Sequence, residues 1–213
     1  LKYARARAGT EEAGLAYVAL GRLELERGNA AGARQYLVTA QSLVPELGDY
    51  AEYLLARAYR TVQRPQETLL SLRRVIGHQP GSPWRAEAVV LAARLYLENG
   101  APATAARLLT DFLPELPQPV SLALLGQAWE ASGELEKAAA AYQRVYYEHP
   151  VSSEAKFAAS RLELLNRRLG SKYPPPMAEA MFTRVERLIR AGQHHAARSE
   201  LQQMTVELAG PDR

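Results

Sequence analysis

Along almost the whole chain apolar residues recur three or four positions apart, and no alternating run lasts beyond a few residues. That spacing places apolar side chains on one stripe of a helix. Good helix formers (Ala, Leu, Glu, Arg) fill the intervals, and β-branched residues are sparse, so the pattern predicts an all-α protein. Breaks fall at Gly28-Asn29, Val44-Pro45, Arg64-Pro65, Gln79-Pro80, Gly100-Ala101-Pro102, Leu116-Pro117, Gly133-Glu134 and His149-Pro150. Each interval holds about four helical turns, so successive helices run back beside one another.

The breaks recur in register. Gly21, Gly28, Ala33, Ala40 and Pro45 form a frame that returns as Ala56, Gln63, Thr68, Val75 and Pro80, displaced by 35 residues. It returns again as Ala93, Gly100, Ala105, Phe112 and Pro117, then as Gly126, Gly133, Ala138, Val145 and Pro150, after 37 and 33 residues. Counted from Gly14, small residues at the eighth and twentieth places let the two helices of a hairpin approach closely. Tyr59, Tyr96 and Trp129 at the eleventh place fill the groove beside that contact. Glycine at the fifteenth place suits the left-handed residue that ends the first helix, and proline at the thirty-second ends the second.

This frame resembles the tetratricopeptide repeat, with Leu20-Gly21, Ala33, Ala40 and Pro45, and Leu125-Gly126, Trp129, Ala138, Tyr142 and Pro150, as the best-matched units. The resemblance implies a right-handed α-α superhelix, a solenoid of antiparallel helix hairpins, with units at about 14–47, 49–82, 86–118 and 119–152. The second unit departs most. Gln63 and Thr68 stand where glycine and alanine are expected, which predicts a looser turn, with Pro65 opening the second helix. After the fourth unit, Ser152 and Ser153 can cap a helix over about 152–168 that closes the array. A stiff connector, Ser171 to Pro176, then leads to a degenerate hairpin at about 177–209. The chain is thus expected to form one array over 1–213, the alternative being a domain boundary at the prolines.

A narrower resemblance covers about 138–208. Tyr142, Tyr146-Tyr147-Glu148-His149-Pro150, Ser152-Ser153-Glu154-Ala155, Tyr173-Pro174 and Arg187 to Gly192 follow the order found in the N-terminal helical region of bacterial soluble lytic murein transglycosylases. In that family this region is a non-catalytic scaffold, and a separate lysozyme-like domain with one catalytic glutamate cleaves peptidoglycan. The resemblance implies a periplasmic protein, a peptidoglycan link through an attached domain beyond Arg213, and an export signal before Leu1.

Composition narrows the remaining chemistry. The 213 residues contain no cysteine, which excludes disulfides, thiolate metal sites and thiol catalysis. The net charge of +3 comes from scattered arginines, with four lysines in the whole chain, and no aromatic repeats at a base-stacking position; nucleic acid is not an expected partner. No apolar stretch approaches the ~20 residues of a membrane span. No phosphate-binding glycine loop, nucleophile elbow or metal-spaced histidine pair is present, so the chain is read as non-enzymatic and without a cofactor. His78 and His149 precede prolines at helix ends, adjacent His194 and His195 point about 100° apart, and Glu134 with Glu136 marks a helix start.

What remains is a surface. On the first helix of each unit, places two, five, nine and twelve face away from the second helix. Place nine is Arg22, Arg57, Arg94 and Gln127; place twelve adds Arg60, and place five Val18, Tyr53 and Val90. Arg22, Tyr53, Arg57, Arg60, Arg94 and Gln127 are therefore the candidate ligand-binding residues, a basic groove suited to carboxylates. The opposing reading is a solvated face neutralised by Glu26, Glu87, Glu98 and Glu130. Tyr36, Tyr142 and Trp129 are read as packing residues, and of Tyr146 and Tyr147 at least one as exposed. The functional expectation is a non-catalytic protein-interaction scaffold, either the helical part of a periplasmic cell-wall enzyme or a free-standing adaptor for an acidic or C-terminal peptide.

Overall fold

The structure, a computed structural model, describes residues 2–209, with side chains described as far as 204. Leu1 and Arg213, on which the expectations about flanking segments fall, lie outside the described residues. Among the described residues there are twelve α-helices and no strand. They form two compact units, Leu1–Asn99 and Gly100–Arg213. The division falls inside the third predicted repeat, not at the proline connector.

The first unit contains α1 (Lys2–Ala6), α2 (Glu11–Glu26), α3 (Ala30–Leu43), α4 (Gly48–Thr61), α5 (Pro65–Ile76) and α6 (Arg85–Glu98). Thr10 and Asn29 cap α2 and α3, their side-chain oxygens accepting from the amides of Ala13 and Gly32. Each helix packs on the next in the chain, α2 on α3, α3 on α4, α4 on α5 and α5 on α6. Leu37, fully buried, lies in a core with Ala33, Ala40, Leu54, Leu55 and Ala58. The contact at the eighth place explains the small residue there: a Cβ on Gly21 would lie 2.6 Å from the Leu37 side chain.

Four of the turns between paired helices share one hydrogen-bond pattern. The amides of Gly28, Gln63, Gly133 and Gly192 donate three residues back, and those of Asn29, Arg64, Glu134 and Gln193 donate five residues back. Gly28 and Gly133 have φ of +77° and +84°, and Gln63 adopts the same left-handed conformation at +55°. The turn of the second repeat is therefore closed like those at Gly28 and Gly133 and not looser; its backbone bonds hold a residue whose Cβ makes that conformation costly. Pro65 opens α5 at its first turn.

The second unit contains α7 (Pro102–Phe112), α8 (Val120–Ala131), α9 (Leu135–Glu148), α10 (Ser153–Leu169), α11 (Ala178–Arg190) and α12 (His194–Ala209). In the α8–α9 hairpin the Tyr142 ring is fully buried against Gly126. Helix α10 packs on α9 and touches α8. It buries Ala155, Ala158, Leu162 and Leu165 there, while Lys156, Phe157, Ser160, Glu163 and Leu164 on its other side are exposed.

After α10 the chain turns at Gly170, and α11 packs on α9. Val185, Leu188, Ala197 and Met204 make a small core. A polar knot fixes the placement. The Arg184 guanidinium stacks 3.6 Å over the Tyr146 ring and donates to the Glu200 carboxylate and to the Tyr146 carbonyl, both at 2.7 Å. The Tyr146 hydroxyl donates to the same carboxylate at 3.0 Å, and Gln143 donates to the Pro174 carbonyl at 2.7 Å, pinning the connector. Tyr146 and Tyr147 are both half-buried; neither is exposed, because α11 and α12 cover this side of α9.

Candidate binding face

In the first unit, α2, α4 and α6 are the first helices of their repeats, and their ninth places are Arg22, Arg57 and Arg94, all exposed. A hydrogen bond of 2.9 Å from Arg60 to Glu98 ties the C-terminal turns of α4 and α6. Arg57 and Arg94 each lie about one turn before that bridge, so they belong to the same face. Neither side chain makes a hydrogen bond or ion pair among the described residues. Arg22 does: it donates to Glu26 at 3.0 Å, and Glu26 together with the Tyr50 hydroxyl raises its pKa above the usual guanidinium value. The row is thus half self-paired. Arg22 and Arg60 have carboxylate partners, whereas Arg57 and Arg94 do not.

Beside the row lies an aromatic stack. Trp84 packs on Tyr50 at 4.6 Å between ring centres and on Tyr53 at 5.4 Å, nearly parallel to both. Its backbone is fixed from α4: the Trp84 amide donates to the Ser82 hydroxyl at 3.1 Å, and that hydroxyl donates to Asp49 at 2.6 Å. Burial raises the Tyr53 pKa, with Glu87 acting in the same direction and Arg57 against it, so the phenol stays protonated at neutral pH. Tyr50 and Trp84 lie outside the set of candidate residues that the sequence predicts. The signal was available for Tyr50, which occupies the second place of its unit; Trp84 precedes α6 and has no place in the frame.

Two predicted members fall elsewhere. Val18 is not on this face; it is buried with Leu37 and Leu54, since α4 covers that side of α2. Gln127 belongs to the second unit, where it lines an open groove of about 530 Å³ with Glu130, Phe157, Arg161 and Arg168. There Glu130 is fully engaged. It accepts both guanidinium arms of Arg161, with Nε at 3.0 Å, and the Tyr142 hydroxyl at 3.1 Å. The close carboxylate raises the Arg161 pKa, and burial with that same carboxylate raises the Tyr142 pKa far above the ordinary phenol value.

Of the remaining titratable groups, His78 contacts the Pro80 carbonyl at 2.9 Å, and Glu134 pairs with Lys137 at 3.2 Å. No cluster of three metal-ligating side chains occurs among the described residues, and no described helix is long and apolar enough to cross a membrane.

Comparison with known proteins agrees with the repeat architecture. Residues 122–152 match the tetratricopeptide repeat family model, which places α8 and α9 in that repeat. The sequence matches no curated protein. Among solved structures, a tetratricopeptide repeat protein from Parabacteroides merdae superimposes with a TM-score of 0.64, over 92% of this chain and 80% of its own, at 17% identity. The fold is therefore that of tetratricopeptide repeat proteins.

Proposed function

We propose that this helical scaffold serves protein interaction, and that the face formed by α2, α4 and α6 takes an acidic peptide segment. The observation that carries the reading is the pair Arg57 and Arg94, exposed on adjoining first helices without ion-pair partners, next to the half-buried Tyr50–Trp84–Tyr53 stack. Guanidinium forks recognise carboxylates in bidentate fashion, and preorganised aromatic rings supply contact area at little entropic cost. Arg22 and Arg60, already paired within the protein, contribute field more than contact. No residue of the face has the nucleophile-base geometry of a catalyst, and the role proposed is binding without chemistry.

The test is a titration with an acidic peptide, followed by Trp84 fluorescence in a Trp129→Phe background. Charge-assisted contacts of this kind are worth about 1.5–3 kcal/mol each, so Arg57→Ala with Arg94→Ala is expected to weaken binding at least about a hundredfold. Binding by the double variant equal to that of the parent overturns the assignment.

A second reading, a scaffold attached to a periplasmic peptidoglycan lytic transglycosylase, is supported by the second unit. Segments that carry that resemblance contact one another there, through Gln143 with Pro174 and through the Tyr146, Arg184 and Glu200 knot. It predicts that the coding sequence continues past Arg213 into a domain with a catalytic glutamate and opens with an export signal. A coding sequence lacking both removes it.

A further inference from the structure

We propose a second binding site, for a small oxyanion carried on an apolar stem, in the recess between the α9–α10 turn and the C-terminal end of α11. The recess measures about 420 Å³ and is lined by Glu148, His149, Pro150, Val151 and Ser152 from the α9–α10 turn and by Arg187, Arg190 and Ala191 from the end of α11. Space of that size exceeds what a bare phosphate or carboxylate fills and falls in the range of small-ligand sites. Val151 is 56% exposed at its edge, leaving apolar surface in contact with water.

The charge balance favours an anion. Of the three charged side chains in the lining, two are arginines; the third, Glu148, accepts from Arg144 at 3.0 Å, outside the lining, and Arg190 donates to Glu186 at 3.2 Å. Both are exposed helix-surface pairs, so a ligand oxygen can draw Arg190 away from Glu186 at small cost. The Arg187 side chain makes no hydrogen bond or ion pair among the described residues, and it lines the recess with its charge unpaired. Two arginines in the last turn of α11 would also suit the carbonyl end of that helix without any ligand. That alternative accounts for neither the exposed apolar residues of the recess nor the imidazole that lines it beside them.

His149 supplies a reporter. Burial lowers its pKa, Arg187 and Arg144 lower it further, and Glu148 on α9 and Glu154 on α10 oppose them. The imidazole is thus held neutral at pH 7 with the Arg187 charge beside it. An oxyanion seated against Arg187 cancels that field and adds negative charge, which favours the imidazolium. Binding and protonation of His149 are therefore linked: for a given charge state of the anion, proton uptake by His149 raises the affinity. The site lies wholly in the second unit and is independent of the peptide-binding reading of the first.

The experiment titrates the full chain with phenyl phosphate and follows the ring resonances of His78, His149, His194 and His195 by NMR across pH 5 to 8. Expected are a saturable shift of His149 alone, an upward move of its titration midpoint in the presence of phenyl phosphate, and binding at least about tenfold weaker in Arg187→Ala. Inorganic phosphate is expected to bind about tenfold more weakly than phenyl phosphate, because it leaves the Pro150, Val151 and Ala191 wall uncovered. Arg187 is exposed, so its replacement leaves the fold intact, which an unchanged melting curve checks; Arg187→Lys retains the charge and is expected to retain part of the binding. A His149 midpoint unmoved by phenyl phosphate, full binding by Arg187→Ala, or equal affinity for the two probes each overturns the proposal.

Discussion

The Gly126 position puts the close helix approach to a direct test. A Cβ built on Gly126 would lie 2.5, 2.7 and 2.9 Å from three atoms of the Tyr142 ring. Ordinary contact begins near 3.4 Å, so the ring or the helix must shift by several tenths of an ångström. The ring has little slack: it is fully buried, its hydroxyl is bonded to Glu130, and the Phe157 ring meets it edge-on at 5.8 Å. Overpacking of this sort costs about 1–3 kcal/mol, and replacing a helical glycine by alanine returns about 1 kcal/mol. Because the ring is pinned, the upper part of that range applies, and Gly126→Ala is expected to destabilise by about 1–2 kcal/mol. In a chain of this size that lowers the melting temperature by roughly 2–8 °C. The assay is urea unfolding followed by circular dichroism, run with two companions. Gly48→Ala adds a methyl with nothing within 4 Å at φ −59°, and is expected to stabilise by about 0.5–1 kcal/mol. In a Tyr142→Leu background the obstacle is gone, and Gly126→Ala becomes neutral or stabilising. A Gly126→Ala protein as stable as the parent would refute the claim that ring contact, and not turn flexibility, sets the residue at the eighth place.

Other outcomes follow from the polar clusters. Arg161→Ala leaves the largely buried Glu130 carboxylate with only the Tyr142 hydroxyl, and is expected to cost about 1–3 kcal/mol in urea unfolding, most of it recovered by adding Glu130→Gln. Burial pushes the Tyr146 phenol up to about 12, so the folded state keeps a proton that the unfolded chain releases near 10. The stability from this group is therefore complete below pH 10 and lost as the pH rises from 10 to 12; urea unfolding of Tyr146→Phe is expected to show a smaller loss over that window than the parent. Arg184→Ala, which removes both the ring contact and the bond to Glu200, is expected to increase amide hydrogen exchange in α11 and α12 without increasing it in α8.

The hairpin architecture was readable because its determinants are local. Gly28, Gly100 and Gly133 at the fifteenth place take the left-handed conformation, and Gly21 and Gly126 at the eighth place sit under a partner side chain, as spacing alone indicates. Gln63 shows where local reading stops. Its side chain argues for a loose turn, yet two backbone hydrogen bonds shared with the other turns hold it in place. Arg57 and Arg94 could be located by counting, but which arginines remain without partners depends on contacts between helices: Glu98 pairs with Arg60 across two helices, and Glu130 with Arg161 across 31 residues. The Tyr50, Trp84 and Tyr53 stack escaped for the same reason, since Trp84 lies outside the repeat frame and is brought in by the Ser82 and Asp49 bonds. The terminal hairpin was legible as two helices; its seat on α9 depends on Arg184, a residue that in sequence looks like any other surface arginine.

The mixed outer side of α10 governs how such a chain can lengthen. Phe157 and Leu164 are exposed there among Lys156, Ser160 and Glu163, so a hairpin grafted after Leu169 meets two apolar side chains amid polar ones in place of the continuous row that α10 buries on α9. A module spliced in ahead of Ser153 would take over the apolar row of α9 that α10 now covers. Growth of the chain by internal duplication, natural or engineered, is thereby favoured upstream of this helix.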